Sequence, residues 1–183
     1  MDVRIVVVKF FARYNTLTMD YHPVVEKIKN LLKENNAEFE TFEHESVRTS
    51  EEAANVRTGY TLEQGAKAII ARVKDPGKGK RFVMFVVPAH KKFDSAKIKN
   101  AVGLVDIRFA TEPEVAEITQ GVLPGGVPPF GNLFGLDVFA DEGLFTNEKI
   151  IFNAGDKRYS IGMFSEDYRK IVNPIVKDIA QND

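Results

Sequence analysis

Apolar and polar positions recur along this chain with two different periods, and the changes between them mark out its elements. Val24, Val25, Ile28, Leu31 and Leu32 recur at helical spacing. They predict a helix over His22–Asn35, with Pro23 near its first turn. Val3–Phe11 is apolar but broken by Arg4 and Lys9, and reads as a strand. Ala37–His44 alternates, with Phe39 and Phe42 as candidate buried positions. Lys67–Val73 and the near-continuous apolar run Phe82–Val87 predict two strands. The turn Asp75-Pro76-Gly77-Lys78-Gly79-Lys80 joins them as a β-hairpin with a basic tip. Phe93–Val102 predicts a helix with Phe93, Ile98 and Val102 inward. Val105–Phe109, Leu136–Phe139, Glu148–Phe152 and Tyr159–Phe164 predict further strands, the last two on either side of Asn153-Ala154-Gly155-Asp156. A closing helix from Ser165 carries the stripe Tyr168, Ile171, Val172, Ile175, Val176 and Ile179, with a kink at Pro174.

Helix starts are written in the polar residues. Thr49-Ser50-Glu51-Glu52 places a capping Thr three residues before a Glu, and predicts a short helix through Val56. Thr61-Leu62-Glu63-Gln64 repeats the pattern ahead of Gly65-Ala66, and Thr111-Glu112-Pro113-Glu114 opens a short helix to Ile118. Strands and short helices do not alternate regularly, which argues against a doubly wound parallel sheet. The fold class expected is α+β: a single domain over 1–183, with a curved, partly barrel-like mixed sheet flanked by helices. Residues 1–21 form an N-terminal strand extension and 22–183 the core.

Composition narrows the chemistry. The chain has no Cys, which excludes disulfides, thiolate metal sites and Cys nucleophiles. That fits a reducing compartment, and the cytoplasm is the expected location. The Val3–Phe11 run is too short to span a bilayer and lacks the small-residue site of a signal peptide. His22, His44 and His90 have no metal-ligand spacing, so no metal is expected. Dinucleotide and P-loop glycine patterns are absent, and no cofactor is implied. The net charge of -1 hides an asymmetry. Lys67–Lys99 holds ten Lys/Arg against Asp75 and Asp94, a local charge of +8. Such a band is either a solvated hairpin and helix face or a polyanion-binding face.

Gly121–Gly131 is the most unusual stretch. Its eleven residues hold four of the thirteen glycines and three of the eight prolines. No regular helix or central strand tolerates that density. The stretch is a tight turn, or a stiff loop that exposes backbone groups; Val122, Leu123, Val127 and Phe130 make it apolar, which suggests a pocket wall. Lys67 heads an apolar strand between Gly65-Ala66 and Ala68-Ile69-Ile70. It is an edge lysine with its ammonium in water, or a cation that positions a phosphate or a carbonyl. Asp141 after a strand, Ser160 on a strand and His44 are weaker candidates with plain structural readings.

Taken in order, these features resemble a known family. They are His44-Glu45-Ser46, a Thr-Ser-Glu-Glu-Ala-Ala helix, Gly-Ala-Lys-Ala around Lys67, Gly125-Gly126-Val127-Pro128-Pro129-Phe130-Gly131, Asp141, and Gly155 before Ser160. The sequence is similar to the YbaK/EbsC family over about residues 24–180. That family includes freestanding aminoacyl-tRNA deacylases and the editing insertion domain of bacterial prolyl-tRNA synthetases. The resemblance implies hydrolysis of the ester joining a wrong amino acid to tRNA, commonly tRNA for proline. It implies that Lys67 is the key functional side chain, orienting the tRNA acceptor end. The G-x-x-x-P loop from Gly125 to Pro129 would wall the pocket and offer backbone groups to substrate and water, with Phe130, Gly131, His44, Asp141 and Ser160 lining it. Arg72, Lys74, Lys78, Lys80, Arg81, Lys91 and Lys92 would contact tRNA, and an aminoacyl-tRNA synthetase is a further expected partner. Two positions differ from the family: Ala68 stands where several alanyl-tRNA deacylases carry Asn, and Pro128 where a small residue is usual. They motivate an alternative, a non-catalytic tRNA- or partner-binding module of the same fold.

Overall fold

The computed structural model describes residues 21–46 and 57–181. The strand expected at Val3–Phe11 and the helix expected through Val56 lie outside the described residues. Within them are four α-helices and eight strands. In chain order these are α1 (Val24–Glu34), β1 (Phe39–Glu43), β2 (Ala66–Asp75), β3 (Gly79–Pro88), α2 (Ser95–Val102), β4 (Asp106–Phe109), α3 (Glu112–Thr119), β5 (Asp137–Asp141), β6 (Lys149–Asp156), β7 (Tyr159–Phe164), α4 (Ser165–Val172) and β8 (Ile175–Lys177). Two short 3₁₀ helices, Gly131–Phe134 and Glu142–Thr146, flank β5. No helix among the described residues is long and apolar enough to cross a membrane.

The strands form two sheets. One is antiparallel, in the order β1-β7-β6; the other is mixed, in the order β4-β2-β3-β5-β8. The α+β expectation therefore holds, with the sheet split in two. β3 explains why its sequence is apolar without alternation. Met84 and Val86 face a core shared with α1, β6, β7 and α4. Val83, Phe85 and Val87 face a second core with Ile98 of α2 and Ile179. A strand covered on both faces has no polar side to show.

Local chemistry sets the ends of the elements. α1 buries Val24, Val25, Ile28 and Leu32, and stops before Asn36, which adopts the left-handed region at φ 53°. Asp94 caps α2 by accepting from the Ala96 and Lys97 amides. The α3 box forms as predicted: the Thr111 amide donates to Glu114 and the Glu114 amide to Thr111 Oγ1.

Three expectations are corrected. Thr61–Gln64 closes a turn, not a helix: Gln64 Oε1 accepts from the Thr61 amide, and the chain enters β2 at once through Gly65. Asn153–Asp156 is not the turn between strands. β6 runs through Asp156 with an irregular register from Asn153, and the reversal falls at Lys157-Arg158. The closing helix does not continue through Pro174 with a kink. It ends at Val172, Asn173 turns left-handed at φ 49°, and Ile175–Lys177 pairs in parallel with β5. Proline lacks the N–H the next turn needs and disfavours the helical region at the residue before it. The parallel edge of β5 offers the freed chain a hydrogen-bonded alternative.

Candidate functional site

A polar cluster crosses the three-stranded sheet at the end of β1. The antiparallel pairing of β1 with β7 sets Phe42 opposite Ser160, so His44 follows two residues on, beyond the last paired residue of β1. His44 Nε2 lies 2.8 Å from Ser160 Oγ, and its Nδ1 lies 2.8 Å from the Glu45 carbonyl. β6 pairs Asn153 with Ser160, and Ser160 Oγ lies 3.2 Å from Asn153 Oδ1. Arg57 enters from the segment before β2. Its Nε donates to Ser160 Oγ at 3.1 Å and its Nη2 to Asn153 Oδ1 at 2.7 Å. Ser160 is fully buried and Arg57 is only 6% exposed. A groove of about 380 Å³ opens beside His44, lined also by Glu43, Glu45 and Arg158.

The Gly-Pro loop is fastened to this cluster. Asn153 Nδ2 donates to the Gly125 carbonyl at 2.7 Å, and the Gly155 amide donates to the Gly126 carbonyl at 2.9 Å. Gly125 holds φ 82°, a conformation glycine adopts without strain. The Lys157 side chain lies against its open face. The loop's apolar residues are accounted for by packing. Val122 and Phe130 are fully buried; Phe130 sits 5.2 Å from the Phe152 ring and 5.5 Å from Tyr168, whose hydroxyl donates to the Pro129 carbonyl at 2.8 Å. Pro128 and Gly131 are buried, Val127 half-buried, and Leu123 points outward.

Electrostatics follow from burial. Burial pushes the Arg57 guanidinium down to about 10, and no carboxylate contacts it among the described residues. The His44 imidazole is lowered below its ordinary value, first by burial and then by the Arg57 charge; the Glu45 carbonyl and Asp156 act in the opposite direction.

The other sequence candidates lie elsewhere. Lys67 alternates with Ile69, Ala71 and Val73 toward the second core, while the loop packs on the first. Its ammonium donates to the Lys91 carbonyl at 2.7 Å and the Ala89 carbonyl at 3.3 Å, and lies 5.7 Å from the Phe93 ring. None of these partners belongs to the loop. Asp141 is a structural anchor. Its Oδ1 accepts from the Gly143 amide, and its Oδ2 from the amides of Ile179 and Ala180. The basic band divides. Arg72, Lys74, Lys78, Lys80 and Arg81 stand toward the hairpin tip, and Lys91 and Lys92 follow its base. The ten residues of β3 separate the two ends by about 30 Å. Arg81 is paired with Asp75 and Asp137, and Lys78 with Asp137. Arg57 and Asn153 were not among the sequence candidates. Among the described residues no three His, Cys, Asp or Glu side chains converge as a metal site would require.

The chain is similar to known proteins in sequence and in fold. The profile of the aminoacyl-tRNA editing domain matches residues 44–171, which begins at His44 and takes in the loop, Asn153 and Ser160. ProXp-y of Escherichia coli strain K12, a multifunctional Ser/Thr-tRNA deacylase, is 32% identical over 150 residues, 81% of this chain and 88% of that protein. The proline–tRNA ligase of Nautilia profundicola is 30% identical over 96 residues, which is 52% of this chain and 16% of the ligase. A solved structure of a protein proposed as a trans-editing enzyme for prolyl tRNA synthetase has a TM-score of 0.74 at 24% identity, over 89% of this chain and 100% of that one. On the match to residues 44–171 and the identity to ProXp-y, the chain belongs to the aminoacyl-tRNA editing domain family.

Proposed function

We propose that this chain is a hydrolase of the ester bond in aminoacyl-tRNA, acting in trans on mischarged tRNA, with tRNA for proline as the carrier. Family membership supports the reaction, and the partial match to a proline–tRNA ligase supports the carrier. The observation that carries the reading to this site is the hydrogen bond from Asn153 Nδ2 to the Gly125 carbonyl. It ties the loop that would receive the aminoacyl end to the only imidazole within reach of Ser160 among the described residues.

In this reading the His44 ring releases Ser160 Oγ, which turns to Asn153 Oδ1, and a water adds to the ester carbonyl carbon as its proton passes to the freed Nε2. The carbonyl electron pair moves onto oxygen, where backbone N–H groups of the Gly125–Gly131 loop hold it. The tetrahedral species then collapses, the bond to the ribose oxygen breaks, and that oxygen takes the proton back from His44. Free amino acid and tRNA result. An aminoacyl ester is already activated, so positioning and oxyanion stabilisation supply most of the acceleration. Lys67, with Lys91 and Lys92, holds the acceptor end by its phosphates. The tip cations Arg72, Lys74 and Lys80 steer the stem.

The test is a panel of tRNAs charged with Ser, Thr, Ala and Pro, incubated with wild type, His44→Ala and Lys67→Ala. Wild type is expected to release at least one amino acid well above the buffer rate, with both variants slower. If every charged tRNA survives as long with the protein as without it, the hydrolase reading fails. Salt-sensitive tRNA binding without turnover would then establish the binding-module alternative.

A further inference from the structure

We infer that Arg57 is a positioning residue of this site: it sets the direction of the hydrogen-bond chain so that Ser160 gives its proton to His44 Nε2 and the imidazole stays neutral. The catalytic consequence rests on the proposed hydrolase reading; the proton arrangement does not.

The direction follows from which groups can only give and which can only take. A guanidinium has donors alone and stays charged. Ser160 Oγ must therefore accept from Arg57 Nε, and Asn153 Oδ1 from Arg57 Nη2. At the other end, the Glu45 carbonyl can only accept, so the neutral His44 ring carries its proton on Nδ1. His44 Nε2 is then a lone pair facing Ser160 Oγ at 2.8 Å. Ser160 has one proton to give and two acceptors, His44 Nε2 at 2.8 Å and Asn153 Oδ1 at 3.2 Å. The second already accepts the short bond from Arg57. The hydroxyl therefore turns to His44. Two chains leave Arg57, one through Ser160 and His44 to the Glu45 carbonyl, the other through Asn153 to the Gly125 carbonyl.

The same geometry lets His44 take up a proton without stranding any group. A protonated Nε2 would donate to Ser160 Oγ, and the hydroxyl would turn to Asn153 Oδ1. The charged groups around the ring decide how readily that happens. Arg57 faces it through Ser160, Glu43, Glu45 and Arg158 line the groove with it, and Asp156 acts from the β6 end. Arg158 is itself paired with Asp156. Arg57, with no carboxylate against it among the described residues, is the cation whose field reaches the ring least cancelled.

The experiment is NMR of the whole chain, with the three His signals assigned using His44→Asn. Nitrogen shifts in wild type are expected to report the Nδ1–H tautomer of His44; an Nε2–H tautomer overturns the inference without any variant. In Arg57→Gln the His44 titration is expected to move up by on the order of one pH unit, and the acidic limb of the deacylation profile to follow it. Arg57→Lys keeps the charge and is expected to hold the titration closer to wild type. An unmoved His44 titration in folded Arg57→Gln overturns the inference. If the titration and tautomer behave as expected but no charged tRNA is hydrolysed, the inference stands and the proposed function falls.

Discussion

Arg57 and Lys67 are two cations ten residues apart that meet opposite surroundings. Arg57 is buried, and its partners are side chains from β6 and β7, 96 and 103 residues away in sequence. Lys67 is half-buried, and it donates to two main-chain carbonyls at the end of its own hairpin. A carbonyl of the main chain accepts from any cation that reaches it. A serine hydroxyl and an asparagine amide respond to the fork geometry of one. The Arg57 region is thus tuned by sequence at four positions, while the two carbonyls that Lys67 bonds ask only for a positive charge at the head of β2. On the proposed function, the difference separates two tasks, proton placement on one side and phosphate attraction on the other.

The strongest way to break the Arg57 region is to deny it backbone. A Cβ on Gly155 would stand 1.9 Å from Val24 Cγ1, and the residue holds φ 104°. Gly155→Ala is expected to cost about 3 kcal/mol by overpacking and backbone strain, and to release the Gly126 carbonyl. Urea denaturation measures this; a midpoint within error of wild type would mean that α1 is not pressed against β6 there. Gly162→Ala acts nearer to Arg57. Its Cβ would stand 2.2 Å from Tyr60 Oη, and the Tyr60 amide bonds the Arg57 carbonyl.

Kinetics sharpen the contrast next. Lys67→Ala removes uniform binding and is expected to raise KM about tenfold with little change in kcat. Arg57→Gln is expected to lower kcat with KM nearly unchanged. Equal effects on both parameters from the two substitutions would merge the tasks assigned to these regions.

A smaller effect lies in the pH dependence of stability. His44 has a lower proton affinity in the folded state than in the unfolded one, where it titrates near 6.5. As pH falls through about 6.5 the unfolded chain takes the proton first, so stability drops toward acid and is unaffected above that range. Melting temperatures between pH 5 and pH 7 are expected to fall by a smaller amount in His44→Asn than in wild type. Parallel slopes would show that His44 does not contribute to the acid sensitivity.

What sequence made legible was what local physics decides. Phe82–Val87 announced a strand buried on both faces, and Thr111–Glu114 announced a capped helix, because each signal is complete within a few residues. Pro174 was legible only as a kink; the chain leaves the helix there for the open edge of β5, which only the fold reveals. His44, Ser160 and the loop were named from the residues, and the family resemblance gave them roles. Arg57 and Asn153 were not. Arg57 is a lone cation before a turn and Asn153 sits in a stretch that reads as a turn, so nothing local marks either. Sheet register alone brings Asn153 opposite Ser160. The apolarity of Gly121–Gly131 has a packing cause as well, since Val122 and Phe130 are buried in the core.

The basic band offers the finest division, since its two ends lie about 30 Å apart along β3. Arg72, Lys74 and Lys80 are exposed; register sets Lys74 opposite Lys80, and Arg72 opposite Arg108, whose charge is held by Glu114. Lys91 and Lys92 are at the end where Lys67 lies. If the band is two contact points on one tRNA, they read different lengths of it. Lys91→Ala with Lys92→Ala is expected to weaken both full tRNA and a short aminoacylated 3′ fragment, because both carry the terminal phosphates. Lys74→Ala with Lys80→Ala is expected to raise KM only about threefold for full tRNA, as exposed charges do, and to lower the slope of log KM against log salt. The short fragment cannot reach the tip and is expected to be unaffected by that pair. A tip variant that weakens the fragment as much as the full tRNA would place the 3′ end at the hairpin tip, and would exchange the roles of the two ends of β3.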